Sequence, residues 1–477
     1  MINSVIKLLF NKFVLRKNNG EVVKEFVQEN GIVYIKLAQM LATQNYGNIF
    51  TDEDRILLSS VCDNCNPIPY EEIEKILKRE YGDDLNSIFS YIDEVPLGSA
   101  SISQVHRAIL KDGREVVLKV KRQDIVDSIN SDICFIRKIM QRFGKLVNFK
   151  NFTGGNHALD LYLKWINEEI DFINEVENIK KYQKFANNVN GRINGTRKII
   201  IPSIYEDYCT ENIIVMEYIP LPTINQTVLT AENKKVIADA INNYFRLSFW
   251  ALFNDQEIVF HGDPHSGNIC VDENANIYFL DMGLLCVLND EDTILCREFF
   301  LTVYNGDYEK ISNMILKYSN MDKQSIISFK KDCKLYCEGI KDKNITYYFM
   351  DMVNICLKYE INPPNFLFSM TKAFFCLNGI CNFVGNDFTA IKLLNDQVIE
   401  FFLKRSFADC KKCVKRAYSL IPSYIDNVRK NGLEDTITKI ITEEDLIRDI
   451  KRSIINLQEV LSYMKKEHDS LQRKLKL

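Results

Sequence analysis

Glycine and proline are scarce in this sequence, which contains 19 and 10 of them in 477 residues. Together they make up about 6% of the chain, roughly half of their usual share in globular proteins. Because both residues interrupt helices, their scarcity predicts a protein rich in long helices. The chain is also too apolar for an intrinsically disordered protein, since 46% of its residues are hydrophobic and 26% are charged.

The sequence has neither an excess of one charge nor a long apolar run. Its 60 basic and 64 acidic residues give a formal net charge of −4, which excludes a generally basic nucleic-acid-binding protein. No stretch of 18 residues is free of charge, so no transmembrane helix is predicted. Lys7 and Lys12 interrupt the N-terminal apolar residues, and no signal-peptide cleavage site follows. With fourteen cysteines and no export signal, we expect a cytoplasmic protein with reduced thiols.

Strand-like and helix-like patterns occupy different parts of the chain. Strand signals concentrate between 90 and 125 and again around 198–220, and the Asp112-Gly113 pair predicts a hairpin turn before the β-branched run at 115–120. Nearly everything after residue 225 has helical character, apart from a short β-like region at 258–285. The sequence therefore predicts an α+β protein in which a small, partly β domain precedes a larger helical one.

The segment 258–283 carries the strongest chemical signal. Asp263 and Asn268 follow one apolar segment with D-x-x-x-x-N spacing, and Asp281 follows the next, two residues before a glycine. Phosphoryl transfer needs a carboxylate near the attacking nucleophile and oxygen ligands that hold Mg²⁺ on the nucleotide phosphates. Asp263 is therefore the candidate catalytic base or nucleophile-orienting group, and Asn268 and Asp281 are candidate Mg²⁺ ligands. The alternative interpretation is a polar turn between two hairpin strands.

A kinase-like site also needs a strand lysine for the α- and β-phosphates and a helix glutamate that positions it. Lys119 lies within the apolar run VVLKV, where a lysine is costly to bury without a carboxylate partner. Asp171, Glu175 and Asn178 are spaced by four and three residues, so we expect them to share a helix face. Glu169 is expected to point elsewhere. Glu175 is the predicted partner of Lys119.

The segment expected to cover the phosphates is unusual, because no G-x-G-x-x-G precedes Lys119. In its place, residues 96–108 read PLGSASISQVHRA. Small side chains allow the backbone to approach phosphates, and serine hydroxyls add hydrogen-bond donors. The candidate nucleotide-binding residues of this segment are Gly98, Ser99, Ala100 and Ser101.

Taken together, these residues resemble the UbiB family of atypical kinases, also called AarF or ADCK proteins. The resemblance runs in the family's order from about residue 25 to residue 385. The family's K-x-G-Q motif corresponds to KLAQ, with Lys36 and Gln39, and its nucleotide hinge corresponds to VMEYI, with Glu217 and Tyr218. Five further parts of the family pattern are also present. Gly98 to Ser101 match its alanine-rich loop, Lys119 matches its strand lysine, and Asp281 matches its metal-binding aspartate. Glu169, Asp171 and Glu175 match the E-x-D segment with the glutamate that follows, and Asp263 and Asn268 match the catalytic loop.

The resemblance implies a two-lobed protein-kinase-like fold with additional N-terminal and inserted helices. It implies binding of ATP or ADP with Mg²⁺, ATPase or kinase-like activity, and a link to ubiquinone or other isoprenoid-lipid metabolism at a membrane. In this family the K-x-G-Q helix lies over the active site and blocks protein substrates. A regulatory role is thereby implied for Lys36, Gln39, Glu169 and Asp171. The sequence departs from the family at Ala38, Gln44, Gly98, Ser99 and Met282.

Four domains are expected from these patterns. An N-terminal helical extension with the KLAQ motif occupies 1–90, a kinase-like N-lobe with inserted helices 91–220, and a helical C-lobe with the catalytic loop 221–430. The last segment, 431–477, has apolar residues alternating four and three apart, which predicts either a coiled coil that forms a homodimer or binds a partner helix, or a helix packed on its own domain. The first 14 residues predict a helix that lies either on a membrane surface or on the protein.

The expected function is therefore that of a Mg²⁺-dependent ATPase or phosphotransferase with an unknown acceptor. Its expected partners are an adenine nucleotide, an isoprenoid lipid or peripheral membrane surface, and enzymes of lipid synthesis. One alternative is a small-molecule phosphotransferase of the aminoglycoside or choline kinase type, whose catalytic loop also reads H-G-D-x-H-x-x-N. The KLAQ and GSAS segments argue against it. A second alternative is a non-catalytic scaffold whose conformation depends on the bound nucleotide.

Overall fold

The computed structural model describes residues 67–100, 102–123, 166–191, 197–254, 257–319, 321–340 and 347–385, with a few single residues outside these ranges. Two compact units divide the chain, residues 1–248 with 257–390 and residues 249–256 with 391–477. The site described below belongs to the first unit. Lys36, Gln39, Ser101 and most of the C-terminal heptad segment lie outside the described residues, and the four expected domain limits stay predictions.

An antiparallel sheet with two short helices before it forms the N-terminal part of this unit. The strands follow the order β1-β3-β4-β6, and β2 pairs with β3. The elements are α1 (Tyr70–Tyr81), α2 (Leu85–Ile88), β1 (Phe89–Ile92), β2 (Gly98–Ser99), β3 (Ser103–Leu110), β4 (Glu115–Lys121), α3 (Phe172–Asn190), β5 (Ile199–Ile200) and β6 (Ile213–Glu217). The predicted turn at Asp112-Gly113 joins β3 to β4, and Gly113 has a φ of 88°, which glycine adopts readily.

The alternation of side chains along β4 decides which residues reach the site. Val116, Leu118 and Val120 are fully buried and belong to the hydrophobic cluster that includes Ile73 and Ile76 of α1. Successive side chains of a strand point to opposite faces, so Val117 and Lys119 lie on the other face, where both line a cavity. The apolar face of β4 therefore holds the strand in the core while its other face presents the lysine.

Helices dominate the rest of the unit, as the composition predicts. They are α4 (Ala231–Phe253), α5 (Asp290–Asn305), α6 (Tyr308–Leu316), α7 (Lys323–Ile340), α8 (Tyr347–Lys358) and α9 (Asn365–Val384). The short strands β7 (Ile258–His261), β8 (Ile269–Val271), β9 (Ile277–Phe279) and β10 (Leu285–Leu288) occupy the β-like region expected at 258–285. Strand β10 pairs with β7, and β8 and β5 pair with β9.

Aromatic side chains fill the core between these helices. Phe299 of α5, Phe349 of α8 and Phe374 of α9 are fully buried, and the rings of Phe349 and Phe374 are 4.9 Å apart. Buried aromatic pairs of this kind contribute about 0.5–1.5 kcal/mol beyond their hydrophobic burial. The described part of the chain contains no helix that is both long and apolar enough to cross a membrane.

Candidate active site

A buried lysine bound by two carboxylates is the centre of the site. The Lys119 ammonium donates to both carboxylate oxygens of Glu175, at 2.6 and 2.8 Å, and to Oδ2 of Asp281 at 2.7 Å. Lys119 is 8% exposed and Glu175 is fully buried. Glu175 is the partner expected from the sequence, whereas the contact with Asp281 was not predicted. Strand β4, helix α3 and the segment after β9 thus meet at one side chain.

The three charged groups perturb one another strongly. Burial raises the pKa of Glu175 to about 7, although the Lys119 ammonium works against this rise. Burial alone would also raise the pKa of Asp281, but the Lys119 ammonium and the Gly283 N–H hold that pKa well below its usual range. Two carboxylates facing one ammonium carry an excess of negative charge when both are ionised. Such a group favours the approach of a cation.

Helix α3 also fixes the main chain that follows Asp281. The Met282 N–H donates to Oε1 of Glu175 at 3.3 Å, and Nδ2 of Asn178 donates to the Met282 carbonyl at 3.1 Å. Glu175 and Asn178 are about one helical turn apart, so one face of α3 binds both polar groups of the Met282 backbone. The Gly283 N–H in turn donates to Oδ1 of Asp281 at 2.9 Å. The orientation of Asp281 is therefore determined by α3 and by its own turn.

His261 links this segment to the candidate catalytic loop. Its Nδ1 accepts the Asp263 N–H at 3.0 Å, and its Nε2 is hydrogen-bonded to the Asp281 carbonyl. Because one ring nitrogen accepts from an N–H and the other must donate to a carbonyl, this arrangement requires the neutral ring with the proton on Nε2. Burial lowers the pKa of His261 to about 4, which agrees with the neutral form.

Asp263 has a neighbour that the sequence does not reveal. The Cys376 thiol of α9 donates to Oδ1 of Asp263 at 3.2 Å, across a sequence separation of 113 residues. Nδ2 of Asn268 donates to the Asp263 main-chain carbonyl at 3.4 Å, which orients the Asn268 amide. Buried cysteines occur in α7, α8 and α9 as well, so nothing in its sequence context marks Cys376 as part of a site.

A cavity of about 600 Å³ brings most of the candidate residues together. This volume lies within the usual range for small-molecule sites. Val105, Val117, Met216 and Leu280 supply apolar side chains to its wall. The candidate residues that line it are Gly98, Ser99, Ala100, Lys119, Glu169, Glu217, Tyr218, Asp263, Asn268 and Asp281. Apolar and charged surfaces therefore meet in one cavity, as a ligand with an aromatic part and an anionic part requires.

The segment expected to cover the phosphates is in part a strand. Gly98 and Ser99 form β2 and pair with Val105 and Gln104 of β3. The Ser99 hydroxyl donates to Oε1 of Gln104 at 3.2 Å and accepts from the Arg122 guanidinium at 2.8 Å. A hydroxyl has one proton, so the expectation that Ser99 donates to phosphates is not met in this structure. Ser99 still lines the cavity.

The two acids of the E-x-D segment lie in different surroundings from those expected. Glu169 lines the cavity near Gly283, whereas the sequence predicted that it points away from the helix face of Glu175. Asp171 is the N-cap of α3, where its carboxylate accepts the Asn174 N–H at 3.0 Å. Because Asp171 precedes the first helical residue, helical spacing does not place it on the face of Glu175. An aspartate before an apolar helical run is an N-cap signal that could have been recognised.

Glu217 and Tyr218 lie at the end of β6. The Glu217 carboxylate accepts the Ser203 N–H at 3.0 Å, and the Tyr218 N–H donates to the Glu115 carbonyl at 3.3 Å. These bonds fix the chain where it leaves the sheet and borders the cavity.

The residues on the cavity wall fit a magnesium ion that is bound together with a ligand. Asp281 supplies a carboxylate and Asn268 an amide oxygen, and Mg²⁺ prefers such hard oxygen donors. Mg²⁺ usually takes only one or two protein ligands and completes its octahedron with phosphates and waters. The excess negative charge of Glu175 and Asp281 around Lys119 would also attract this cation.

Comparison with known proteins agrees with this geometry. Residues 60–315 match the family model described as the ABC1 atypical kinase-like domain, which is more than half of the chain. The chain belongs to the ABC1 atypical kinase-like family. This result confirms the resemblance seen in the sequence, together with the mixed α+β kinase-like fold.

Relatives of this ABC1-family chain extend the comparison. A protein named "Probable protein kinase UbiB" from Shewanella loihica is 31% identical over 69% of this chain and 59% of its own length. An uncharacterized protein in the hydrogenase 1 5' region of Clostridium pasteurianum is 26% identical over 79% of this chain and 70% of its own length. The chain thus spans between 59% and 70% of these two relatives.

A solved structure, the complex of Rv3197 with erythromycin from Mycobacterium tuberculosis, is also similar to this ABC1-family chain. It has a TM-score of 0.44 and 17% identity and covers 81% of this chain and 99% of its own.

Proposed function

We propose that this protein binds an adenine nucleotide with Mg²⁺ and hydrolyses or transfers its γ-phosphate. The observation that carries the proposal is the position of Lys119, which is bound by Glu175 and Asp281 on the wall of a cavity that Asp263 also lines. Kinase-like sites use a strand lysine, a helix glutamate and these two aspartates for phosphoryl transfer. An isolated polar turn gives no reason for the buried lysine.

Each part of the nucleotide has a matching surface in this proposal. The base packs between the apolar side chains of Val105, Val117 and Met216, next to the chain at Glu217 and Tyr218. Lys119 donates to the phosphates, and Glu175 holds the ammonium in place. The main chain of Gly98 to Ala100 borders the phosphates, where small side chains permit close approach.

Asn268 and Asp281 are the residues that would hold the magnesium ion. When bound, the ion neutralises part of the phosphate charge. Asp263 accepts the proton of the attacking hydroxyl or water, and the Cys376 thiol stabilises the Asp263 carboxylate by donating to Oδ1. Neutral His261 fixes the relative positions of Asp263 and Asp281 through their main chains.

The finer parts of the proposal depend on the UbiB family. They are a link to ubiquinone or other isoprenoid-lipid metabolism, partners among lipid-synthesis enzymes, and inhibition by the Lys36 and Gln39 segment. Of the two members of the proposed regulatory set that the structure describes, Glu169 and Asp171, only Glu169 lines the cavity, which supports a role near the phosphates. The position of Asp171 supports a structural role as the cap of α3.

Thermal unfolding with Mg²⁺ and ATP, ADP or GTP tests the proposal. A ligand at about 100 times its Kd stabilises the folded state by about 2.7 kcal/mol, which raises Tm by several degrees in a domain of this size. We expect a Mg²⁺-dependent rise with ATP and ADP that Asp281→Ala abolishes. Asp207→Ala, at an exposed aspartate outside the cavity, is the matched control and should keep the rise.

Turnover is tested separately from binding. Asp263→Asn should retain the nucleotide-dependent rise in Tm and lose ATP consumption, because the amide cannot accept the proton. If folded wild-type protein shows no shift with any nucleotide, the proposal is wrong. If Asp263→Asn binds nucleotide and retains full biological function, the non-catalytic scaffold is favoured.

A further inference from the structure

The side chain of Gln104 makes four hydrogen bonds in the interior of the N-terminal sheet. Its Oε1 accepts from the Ile68 N–H at 2.9 Å and from the Ser99 hydroxyl at 3.2 Å. Its Nε2 donates to the Ile68 carbonyl at 3.1 Å and to Nε2 of His106 at 3.0 Å. Gln104 is fully buried, and a carboxamide has four hydrogen-bonding positions in all. Every polar position of this buried amide is therefore used.

The bonds also define one orientation of the amide and one tautomer of His106. Ile68 offers an N–H to the oxygen and a carbonyl to the nitrogen. A flipped amide would place its nitrogen against the Ile68 N–H and its oxygen against the Ile68 carbonyl, so neither pair could form a hydrogen bond. The amide nitrogen can only donate, so Nε2 of His106 must accept. The His106 proton is then on Nδ1, which lies 2.7 Å from the Asp93 carbonyl. Burial lowers the pKa of His106, in agreement with a neutral ring.

Gln104 does not line the cavity. Its neighbours along β3, Ser103 and Val105, both do, and alternate residues of a strand point to opposite faces. In the register of the sheet, Gly98 lies opposite Val105, which lies opposite Lys119. The position of β2 relative to Lys119 therefore determines how closely the main chain at Gly98 approaches a group bound to that lysine.

Strand β2 is only two residues long and pairs with β3 at Gly98 and Ser99. Two main-chain bonds flank it, from Leu97 to Val105 at 2.8 Å and from Ala100 to Ser103 at 2.9 Å. The Ser99 side chain adds the bonds to Gln104 and to Arg122. The Ser99 hydroxyl therefore gives β2 a side-chain attachment to Gln104 in addition to its main-chain pairing with β3.

We propose that Gln104 is a positioning residue that holds β2 at its distance from Lys119 and joins it to the main chain at Ile68. This inference rests on the proposed function, because the ligand that β2 contacts is taken to be the nucleotide. Ile68 lies two residues before α1, on the side of the chain that leads to the KLAQ motif. A displacement of the chain at Ile68 is thereby transmitted through one amide to the cavity wall.

Gln104→Glu tests the positioning role. The carboxylate keeps the shape of the side chain but cannot donate to the Ile68 carbonyl or to His106. If β2 then moves from its position relative to Lys119, we expect MgADP to bind about tenfold more weakly, which corresponds to about 1.4 kcal/mol of binding free energy. Binding is measured by calorimetry well below the Tm of each variant. Gln324→Glu, at an exposed glutamine of α7, is the control and should bind as wild type does.

A double-mutant cycle shows whether Gln104 acts through Ser99. If it does, the loss of MgADP affinity in Gln104→Glu and in Ser99→Ala should overlap, so that the double variant is hardly weaker than Gln104→Glu alone. Fully additive losses would overturn the proposal, as would wild-type affinity in Gln104→Glu. Neither result contradicts the proposed function, provided that wild type binds MgADP and Asp281→Ala does not. Absence of binding by wild type overturns both.

Hydrogen exchange at Ile68 provides a second measurement that does not need a Gln104 variant to fold. Ile68 lies between two prolines, which have no amide proton, so its exchange is readily assigned. We expect MgADP to slow exchange of the Ile68 amide in wild type by several-fold and to have no such effect in Ser99→Ala. Exchange at Ile68 that is insensitive to MgADP in wild type would contradict the proposal.

Discussion

Lys119 shows how a single buried charge governs its surroundings. Removing either carboxylate changes the charge that faces the ammonium, and breaking a buried ion pair costs about 3–5 kcal/mol. The lysine is also 5.5 Å from the centre of the Phe172 ring, which favours a cation. The ammonium therefore has a defined position before any ligand binds, and we expect that preorganisation to favour nucleotide binding.

Gly262 is required at its position because of close packing. A Cβ added there would lie 2.9 Å from both Cβ and the carbonyl oxygen of Leu284, and the Gly262 N–H donates to that same oxygen at 2.8 Å. Gly262→Ala should therefore push β7 from the segment after Asp281 and destabilise the protein by about 1–3 kcal/mol. Urea denaturation measures the change.

Gly339 of α7 offers a matched control for this substitution. A Cβ added there meets no atom within 4 Å, and alanine is favoured over glycine inside a helix by about 0.5–1 kcal/mol. Gly339→Ala should therefore be neutral or stabilising. Equal stability of Gly262→Ala and wild type would show that the contact with Leu284 relaxes without cost.

Among the elements, α3 connects the sheet to the segment that carries Asp281. Its residue Glu175 binds the strand lysine and the Met282 N–H, and Asn178, about one turn later, binds the Met282 carbonyl. Its N-cap, Asp171, begins the helix immediately before these residues. The start of α3 therefore sets the register in which both side chains meet the Met282 main chain.

Asn178→Leu tests this role of the helix. Leucine leaves the buried Met282 carbonyl without its donor, which costs about 1–3 kcal/mol of stability. If α3 orients Asp281, MgADP affinity should fall as well, because Met282 directly follows that aspartate. Asn187→Leu is the matched control, since Asn187 is exposed on the same helix. Loss of stability with unchanged nucleotide affinity would restrict Asn178 to a structural role.

For the whole molecule, two buried groups of the site give opposite dependences of stability on pH. The pKa of Glu175 rises from 4.5 to about 7, so between these values the folded state holds a proton that the unfolded state has lost. Stability from Glu175 therefore falls as pH rises through this window. The pKa of His261 falls from 6.5 to about 4, so stability from His261 rises with pH between those values.

Glu175→Gln should remove the Glu175 contribution to stability, which falls as pH rises, and leave the His261 contribution, which rises with pH. We expect Tm to increase more steeply between pH 5 and about 6.5 in this variant than in wild type. Thermal unfolding at half-unit intervals of pH measures the two slopes. Glu177→Gln, at an exposed glutamate of the same helix, should run parallel to wild type. Parallel curves for Glu175→Gln and wild type would contradict the assignment.

Much of the site could be inferred from the sequence because its chemistry restricts the choice of partners. A lysine in an apolar strand needs a carboxylate, and Glu175 lies on a helix that follows, 56 residues away. The additional bond to Asp281 spans 162 residues and has no local signal. The thiol of Cys376 and the amide of Gln104 likewise acquire their roles only from neighbours that the fold supplies.

Sequence alone was enough to predict the strand-rich regions, the Asp112-Gly113 turn, the helical C-terminal part of the described unit and the family. These features depend on side-chain periodicity, on backbone preferences and on residue types at short spacings, which act over a few neighbouring residues. The folded structure was needed to show that Ser99 bonds to Gln104 and that Glu169 faces the cavity. Those contacts depend on how β3, α3 and the segment after β9 pack together, and that packing satisfies the buried polar groups of all three at once.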